Sequence, residues 1–131
     1  MRFARIKSDM PFEKNKRQIL LIDDNITFLK SMRLALGKIG FRCQIAQTIQ
    51  AARELLAREP FDLIICDYFM PDCDGKTALA DLGNVHKNCR LILTSSYPLD
   101  IEFKKTDRFI FVDKLGLLEW LSEKYTEFQY V

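Results

Sequence analysis

The run Leu63-Ile64-Ile65-Cys66 stops abruptly at Asp67, and the loop Tyr68-Phe69-Met70-Pro71-Asp72-Cys73-Asp74-Gly75 follows it. Four apolar residues bounded by turn-forming ones read as a strand buried on both faces. Such a strand needs helices above and below it, which narrows the chain to the α/β classes. Asp67 then stands at the carboxyl end of a central strand, where open α/β sheets bind their ligands.

The rest of the chain repeats that arrangement. Gln18 to Ile22 is a first apolar strand ending in Asp23-Asp24. Asn25 is suited to cap a helix over about residues 26–39, with Ile26, Leu29, Met32, Leu36 and Ile39 on one face. Gly37 loosens that helix and Gly40 closes it. Phe41 to Ala46 is a second strand, and Thr48 caps a helix that runs to Arg58, before Pro60. Lys76 to Leu82 is a short third helix, stopped by Gly83-Asn84. Arg90 to Thr94 is a fourth strand. Pro98 opens a helical candidate with Asp100 and Glu102 early and Lys104 and Lys105 late, the charge order that a helix dipole favours. Phe109 to Val112 is a fifth strand. A last helix over about residues 116–128 carries Leu118, Leu121, Tyr125 and Phe128 at helical spacing. Strands alternating with helices imply parallel βαβ units with right-handed crossovers. The expected fold is a doubly wound, flavodoxin-like (βα)5 sandwich with a parallel five-stranded sheet, order 2-1-3-4-5.

With 131 residues, 48% of them hydrophobic, the chain has material for one core. No apolar run approaches the length of a membrane span, and the basic start lacks the apolar stretch of a secretory signal. The four cysteines form no Cys-x-x-Cys pair and read as reduced thiols, so a soluble cytoplasmic chain with no membrane partner is expected. The net charge of +2 is uneven. Residues 1–16 read as a basic extension and 17–131 as the folded domain. Arg2, Arg5, Lys7, Lys14, Lys16 and Arg17 lie in the first 17 residues against Asp9 and Glu13. Charge runs of this kind usually face solvent, so nucleic acid is not expected as a partner of the domain.

Three strand ends carry chemistry: Asp23 and Asp24 after the first, Asp67 after the third, Thr94 in the fourth. Lys114 follows the fifth closely. Clustered carboxylates raise one another's pKa, and a hard divalent cation such as Mg²⁺ (or Mn²⁺) relieves the repulsion while keeping waters for a phosphoryl oxygen. With a lysine and a hydroxyl beside it, such a crevice suits a phosphoryl group, with Asp67 as nucleophile.

The set Asp23-Asp24, Asp67-x-x-Met70-Pro71-x-x-Asp74-Gly75, Leu93-Thr94-Ser95 and Lys114 resembles the CheY-like response-regulator receiver domain of two-component signalling, over about residues 17–129. The resemblance implies that Asp67 is the phosphoacceptor, supplied by a sensor histidine kinase or a histidine phosphotransferase. It implies that Asp24, Asp67 and the backbone carbonyl of Phe69 hold Mg²⁺, with Asp23 helping through water. Lys114 and Thr94 would contact the phosphoryl group, and Thr94 and Phe111 would act as the switch. The signal would pass through the fourth helix, fifth strand and fifth helix to an unidentified downstream protein, with room for a phosphorylation-dependent dimer. Such a domain accepts phosphate, and can lose it unaided, without being a conventional enzyme.

The chain departs from that family at several points. Leu115 replaces the usual proline after the lysine. A cis bond costs about 2.5–4 kcal/mol before a non-proline residue against about 0.5–1 before proline, so a trans Lys114–Leu115 bond in a rerouted loop is expected. Thr106-Asp107-Arg108 stands where a small Gly-Ala pair is common, which predicts a stunted fourth helix over about Leu99 to Lys105. Ser95 replaces a smaller residue and should be tolerated.

Phe111 is a switch or simply core. Phe103, Phe109, Phe111 and Trp120 form a candidate partner face, or else Phe109 and Trp120 cover the region of the shortened helix. His86 and Cys89 have zinc-like spacing without a second pair, which favours a surface histidine and buried thiols. A phosphohydrolase of the haloacid-dehalogenase type would need an Asp-x-Asp pair that Asp23-Asp24-Asn25 does not provide. A stand-alone receiver is the expectation. The alternatives are the receiver part of a longer transcriptional or enzymatic regulator, or a receiver-like binding module that takes no phosphate.

Overall fold

A computed structural model describes residues 18–96 and 109–125. Five parallel strands make one sheet: β1 (Gln18–Ile22), β2 (Arg42–Ala46), β3 (Leu63–Asp67), β4 (Arg90–Ser95) and β5 (Phe109–Asp113), in the order β2-β1-β3-β4-β5. The described helices are α1 (Ile26–Lys38), α2 (Ile49–Arg58), α3 (Gly75–Val85) and α4 (Leu117–Tyr125). Helix α4 is the fifth of the sequence pattern. The basic extension, Phe103 and the expected fourth helix lie outside the described residues.

Alternation along the strands sorts the core into two halves. Leu20, Ile22, Ile64, Cys66, Leu91 and Leu93 meet Ile49, Ala52 and Leu56 of α2 and Ala78, Leu79 and Leu82 of α3. Ile19, Leu21, Leu63, Ile65, Ile92 and Val112 meet Leu29, Met32 and Leu36 of α1 and Leu117 and Leu121 of α4. Central strands buried on both faces explain why the apolar runs are continuous. Truncating one of these side chains, as in Ile65→Ala, removes its transfer energy and leaves a cavity, about 2–5 kcal/mol.

The helices begin where side chains can take up free N–H groups. Asn25 Oδ1 accepts from the Phe28 N–H at 3.1 Å, Thr48 Oγ1 from Ala51 at 3.0 Å, and Asp74 Oδ1 from Thr77 at 2.9 Å. Two residues past the end of α1, Gly40, with a φ of 99°, reverses the chain and lets the Phe41 N–H reach the Leu36 carbonyl.

Three expectations are corrected. Helix α3 does not stop at Gly83 but runs on to Val85. Gly83 is buried, and a Cβ there would collide with Leu91 Cδ1, so this glycine serves a close helix–strand approach. The inward face of the last helix is Leu117 and Leu121, while Leu118 points outward. Leu121 lies four residues after Leu117 and three after Leu118, so either pairing fits helical spacing, and the core takes Leu117. Ile26, placed on the inner face of α1, is exposed, because it is the first residue of the helix and lies beyond the sheet's end.

Candidate functional site

Register builds the site. Asp67 of β3 is the partner of Thr94 in β4, and Ile22 of β1 is the partner of Cys66. One residue further along, Asp23 falls opposite Asp67, on the sheet face that carries Ile65 and Ile92 below it. The Asp23 N–H continues the ladder to the Ala46 carbonyl at 3.1 Å, and the Tyr68 N–H does so to the Thr94 carbonyl at 2.8 Å.

The β3–α3 loop is held at three points. An antiparallel bridge joins Phe69 to Asp74, and the Gly75 N–H donates to the Tyr68 carbonyl at 2.7 Å. Asp72 reaches across to accept from the Ile49 N–H at 3.1 Å, bracing the loop on the first turn of α2. Gly75 itself must be glycine on steric grounds. A Cβ there would run into the Asp67 carbonyl oxygen and lie 2.7 Å from Tyr68 Cα.

Asp23, Asp24 and Asp67 each bring a carboxylate oxygen within 4.8 Å of the others, and no other such group of three occurs among the described residues. Asp24 is exposed, whereas Asp23 is buried and Asp67 is 6% exposed. Lys114 Nζ lies 2.5 Å from Asp23 Oδ2 and 3.6 Å from Asp67 Oδ2, so the lysine sits nearer the first carboxylate. Asp67 Oδ1 is buried without a hydrogen-bond partner. Burial, then the Asp23 carboxylate, push the Asp67 carboxyl above its ordinary pKa, against the opposing pull of Lys114 and of the Phe69 N–H. A buried carboxylate oxygen without a donor, in a three-acid cluster, is what a hard oxygen-seeking cation fits. Asp23, Asp24 and Asp67 are therefore able to hold Mg²⁺.

Thr94 is 2% exposed and in register with Asp67. Ser95 is buried on the other sheet face, as its alternation with Thr94 requires. No peptide bond among the described residues is cis, so Lys114–Leu115 is trans as expected. The reroute is a 3₁₀ turn over Lys114–Gly116, in which Asp113 Oδ1 accepts from the Leu115 N–H at 3.3 Å and Leu115 is left 91% exposed.

Two of the four aromatic candidates, Phe111 and Trp120, have described side chains. Phe111 is 39% exposed and pairs with Leu93, which puts it on the α2–α3 side. Trp120 packs against the α1–α4 half of the core, with Lys124 Nζ 5.9 Å from its ring centroid. The side chain of Phe109 lies outside the described residues. Cys89 is a buried thiol donating to the Phe61 carbonyl at 2.9 Å, and all four cysteines are free. Burial raises the Cys66 thiol well above its usual range, which keeps it inert beside Asp67.

One residue escaped the sequence reading. Phe28 of α1 lies with its ring centroid 4.5 Å from Lys114 Nζ, walling the site on the helix side. Its only sequence signal was an aromatic in the first turn of a helix that starts at the acidic pair.

The fold is a three-layer α/β sandwich with an acidic crevice at the strand ends and a lysine across it. The model of the response regulator receiver domain matches residues 19–113, and the chain belongs to that family. It is 30% identical over 103 residues to the response regulator protein PilR of Pseudomonas aeruginosa, which covers 76% of this chain and 23% of that protein. The chain thus spans less than a quarter of that relative's length. Response regulator TrrA of Thermotoga maritima, solved in complex with Mg²⁺-BeF, superposes with a TM-score of 0.71 at 23% identity, over 86% of this chain and 98% of that one. A chain from the complex of histidine kinase ThkA with TrrA gives a TM-score of 0.72 at 21% identity, over 86% and 97%. Among the described residues no helix is long and apolar enough to cross a membrane.

Proposed function

We propose that this receiver domain accepts a phosphoryl group on Asp67 from a histidine kinase or a histidine phosphotransferase, with Mg²⁺ as cofactor. The observation that carries the reading is the buried Asp67 carboxylate, one oxygen without a hydrogen-bond donor, beside two further carboxylates and Lys114. The TrrA structures, one with Mg²⁺-BeF and one with a kinase, support the choice of cofactor and donor.

In the transfer a carboxylate oxygen of Asp67 attacks phosphorus. The phosphorus–nitrogen bond to the donor imidazole breaks, its electron pair stays on nitrogen, and an acyl phosphate forms. Asp23, Asp24 and Asp67, with the Phe69 carbonyl, would hold the metal, which when bound supplies positive charge to the phosphoryl oxygens. Lys114 swings from Asp23 towards those oxygens. The Thr94 hydroxyl donates to one of them, and Phe111 responds to that movement as the switch. The output is a shift in population between two forms, biased by these contacts and read by a downstream protein in the cytoplasm. The domain acts as a signalling module rather than as a conventional enzyme.

The test is incubation with Mg²⁺ and a small acyl phosphate, read by intact mass. Added phosphate on the wild type and none on Asp67→Asn is the expected result. Label retained in Asp67→Asn removes Asp67 as the acceptor, and no label with any donor favours a binding module. A second reading, that the domain works as part of a longer regulator, is favoured by the 23% share of PilR that it spans. The mass of the protein expressed from its own gene decides between that and a stand-alone receiver.

A further inference from the structure

Lys114 must hold a flexible four-carbon stem in one place to serve Asp67. The residue after it gives no help. Leu115 is 91% exposed, and the Asp113 carboxylate fixes only the backbone of the turn. Support comes from α1 instead. The Lys114 ammonium lies 4.5 Å from the ring centroid of Phe28, a half-buried side chain packed against the α1–α4 core. A cation at that distance from an aromatic ring is attracted by the negative potential of the ring face.

The contact closes a ring. Asp23 Oδ1 accepts from the Asn25 N–H at 2.9 Å. Asn25 Oδ1 accepts from the Phe28 N–H at 3.1 Å. The Phe28 ring meets Lys114 Nζ, and Lys114 Nζ returns to Asp23 Oδ2 at 2.5 Å. The helix cap, the aromatic ring and the ion pair therefore position one another. Asp67 Oδ2, 3.6 Å from the ammonium, lies just outside this ring.

The geometry points to Phe28 as a positioning residue for Lys114: its ring confines the ammonium between Asp23 and Asp67, in a chain whose lysine loop offers no packing of its own. Lys114 can then move from Asp23 to a phosphoryl oxygen without leaving the ring face. The inference rests on the phosphoacceptor reading for its kinetic consequence, but the placement of Lys114 is measurable without it.

The test compares Phe28→Leu, Phe28→Met and Phe28→Tyr with the wild type in two assays. The first is the rate of phosphate uptake at saturating acyl phosphate and Mg²⁺. The second is the NMR shift of the Lys114 ε-methylene, which the ring current of Phe28 displaces upfield. Loss of the aromatic face should slow uptake about three- to tenfold, as expected for a partly desolvated cation–π contact. The leucine and methionine variants should also lose the upfield displacement, and tyrosine should restore both. Whichever apolar variant keeps the wild-type fold carries the comparison. An unchanged rate with an unchanged Lys114 shift overturns the inference, as does a folded tyrosine variant as slow as leucine. If the wild type itself takes no phosphate, the functional reading fails, and the Lys114 shift alone decides the positioning role.

Discussion

Substituting Gly75 by alanine should separate two roles of glycine in one helix. Gly75 is the first residue of α3, and an added methyl would meet the Asp67 carbonyl oxygen, with Tyr68 Cα at 2.7 Å and Asp67 C at 2.8 Å. Carbon contacts settle near 3.5–4.0 Å, so relief needs a shift of about 1 Å. All three obstacles are backbone, at the end of a central strand, and none can rotate away. Overpacking of this kind costs about 1–3 kcal/mol, and an immovable wall belongs at the top of that range. Alanine returns at most about 1 kcal/mol of helix propensity. The net loss is about 2 kcal/mol, which lowers the melting midpoint by roughly 6–10 °C for a domain of this size. Gly83→Ala is the control, since its obstacle is the Leu91 side chain, which can change rotamer. It should fall within about 1 kcal/mol of wild type once propensity offsets crowding. Thermal unfolding followed by circular dichroism, with Mg²⁺ titration of each folded variant, measures both effects. Gly75→Ala should also weaken Mg²⁺ binding, because the displaced atoms belong to Asp67. A Gly75→Ala protein as stable as wild type, or less perturbed than Gly83→Ala, would refute the steric reasoning.

Asp67→Asn should melt higher than wild type in metal-free buffer at neutral pH, because it removes a carboxylate whose pKa is raised by burial and by Asp23. The sign follows from linkage: a raised acid is most favourable when protonated, so the wild type recovers as pH falls through the raised value and the gap between the two midpoints closes. Lys114→Met should destabilise the metal-free fold by leaving Asp23 and Asp67 uncompensated, yet tighten Mg²⁺ in a calorimetric titration, since a competing positive charge is gone. Asp74→Ala should cost about 1 kcal/mol by uncapping α3. The Asp74 carboxyl is held below its usual pKa, chiefly by the Thr77 N–H and hydroxyl, so its contribution is present above the unfolded-state value. That contribution is lost as pH falls through the folded one, and denaturant midpoints against pH should show the loss in wild type only.

The central strands were legible because a strand buried on both faces leaves an unbroken apolar run, as Ile19 to Ile22 and Leu63 to Cys66 do. The caps at Asn25 and Thr48 were legible because a side-chain oxygen and the N–H it serves are three residues apart. Gly83 misled because glycine is a weak helix former in isolation, and only the approach of Leu91 shows why the helix tolerates it. The inner face of α4 misled because Leu117 and Leu118 both stand at helical spacing from Leu121, and only the packing distinguishes them. The acids, Thr94 and Lys114 could be placed from topology alone. Phe28 could not, since its contact with Lys114 joins residues that only the closed fold makes neighbours.

The shared register of Asp23, Asp67 and Thr94 has a consequence for errors in folding. Neighbouring positions alternate between faces, so a strand that slid by one residue would turn its polar end towards α2 and α3 and bring Ile22, Cys66 or Leu93 to the crevice. The slipped sheet would bury a charge among apolar helices and could not bind a cation. The residues that carry the chemistry thus also proofread the sheet: a misaligned chain is penalised most heavily at the positions where it would be inactive.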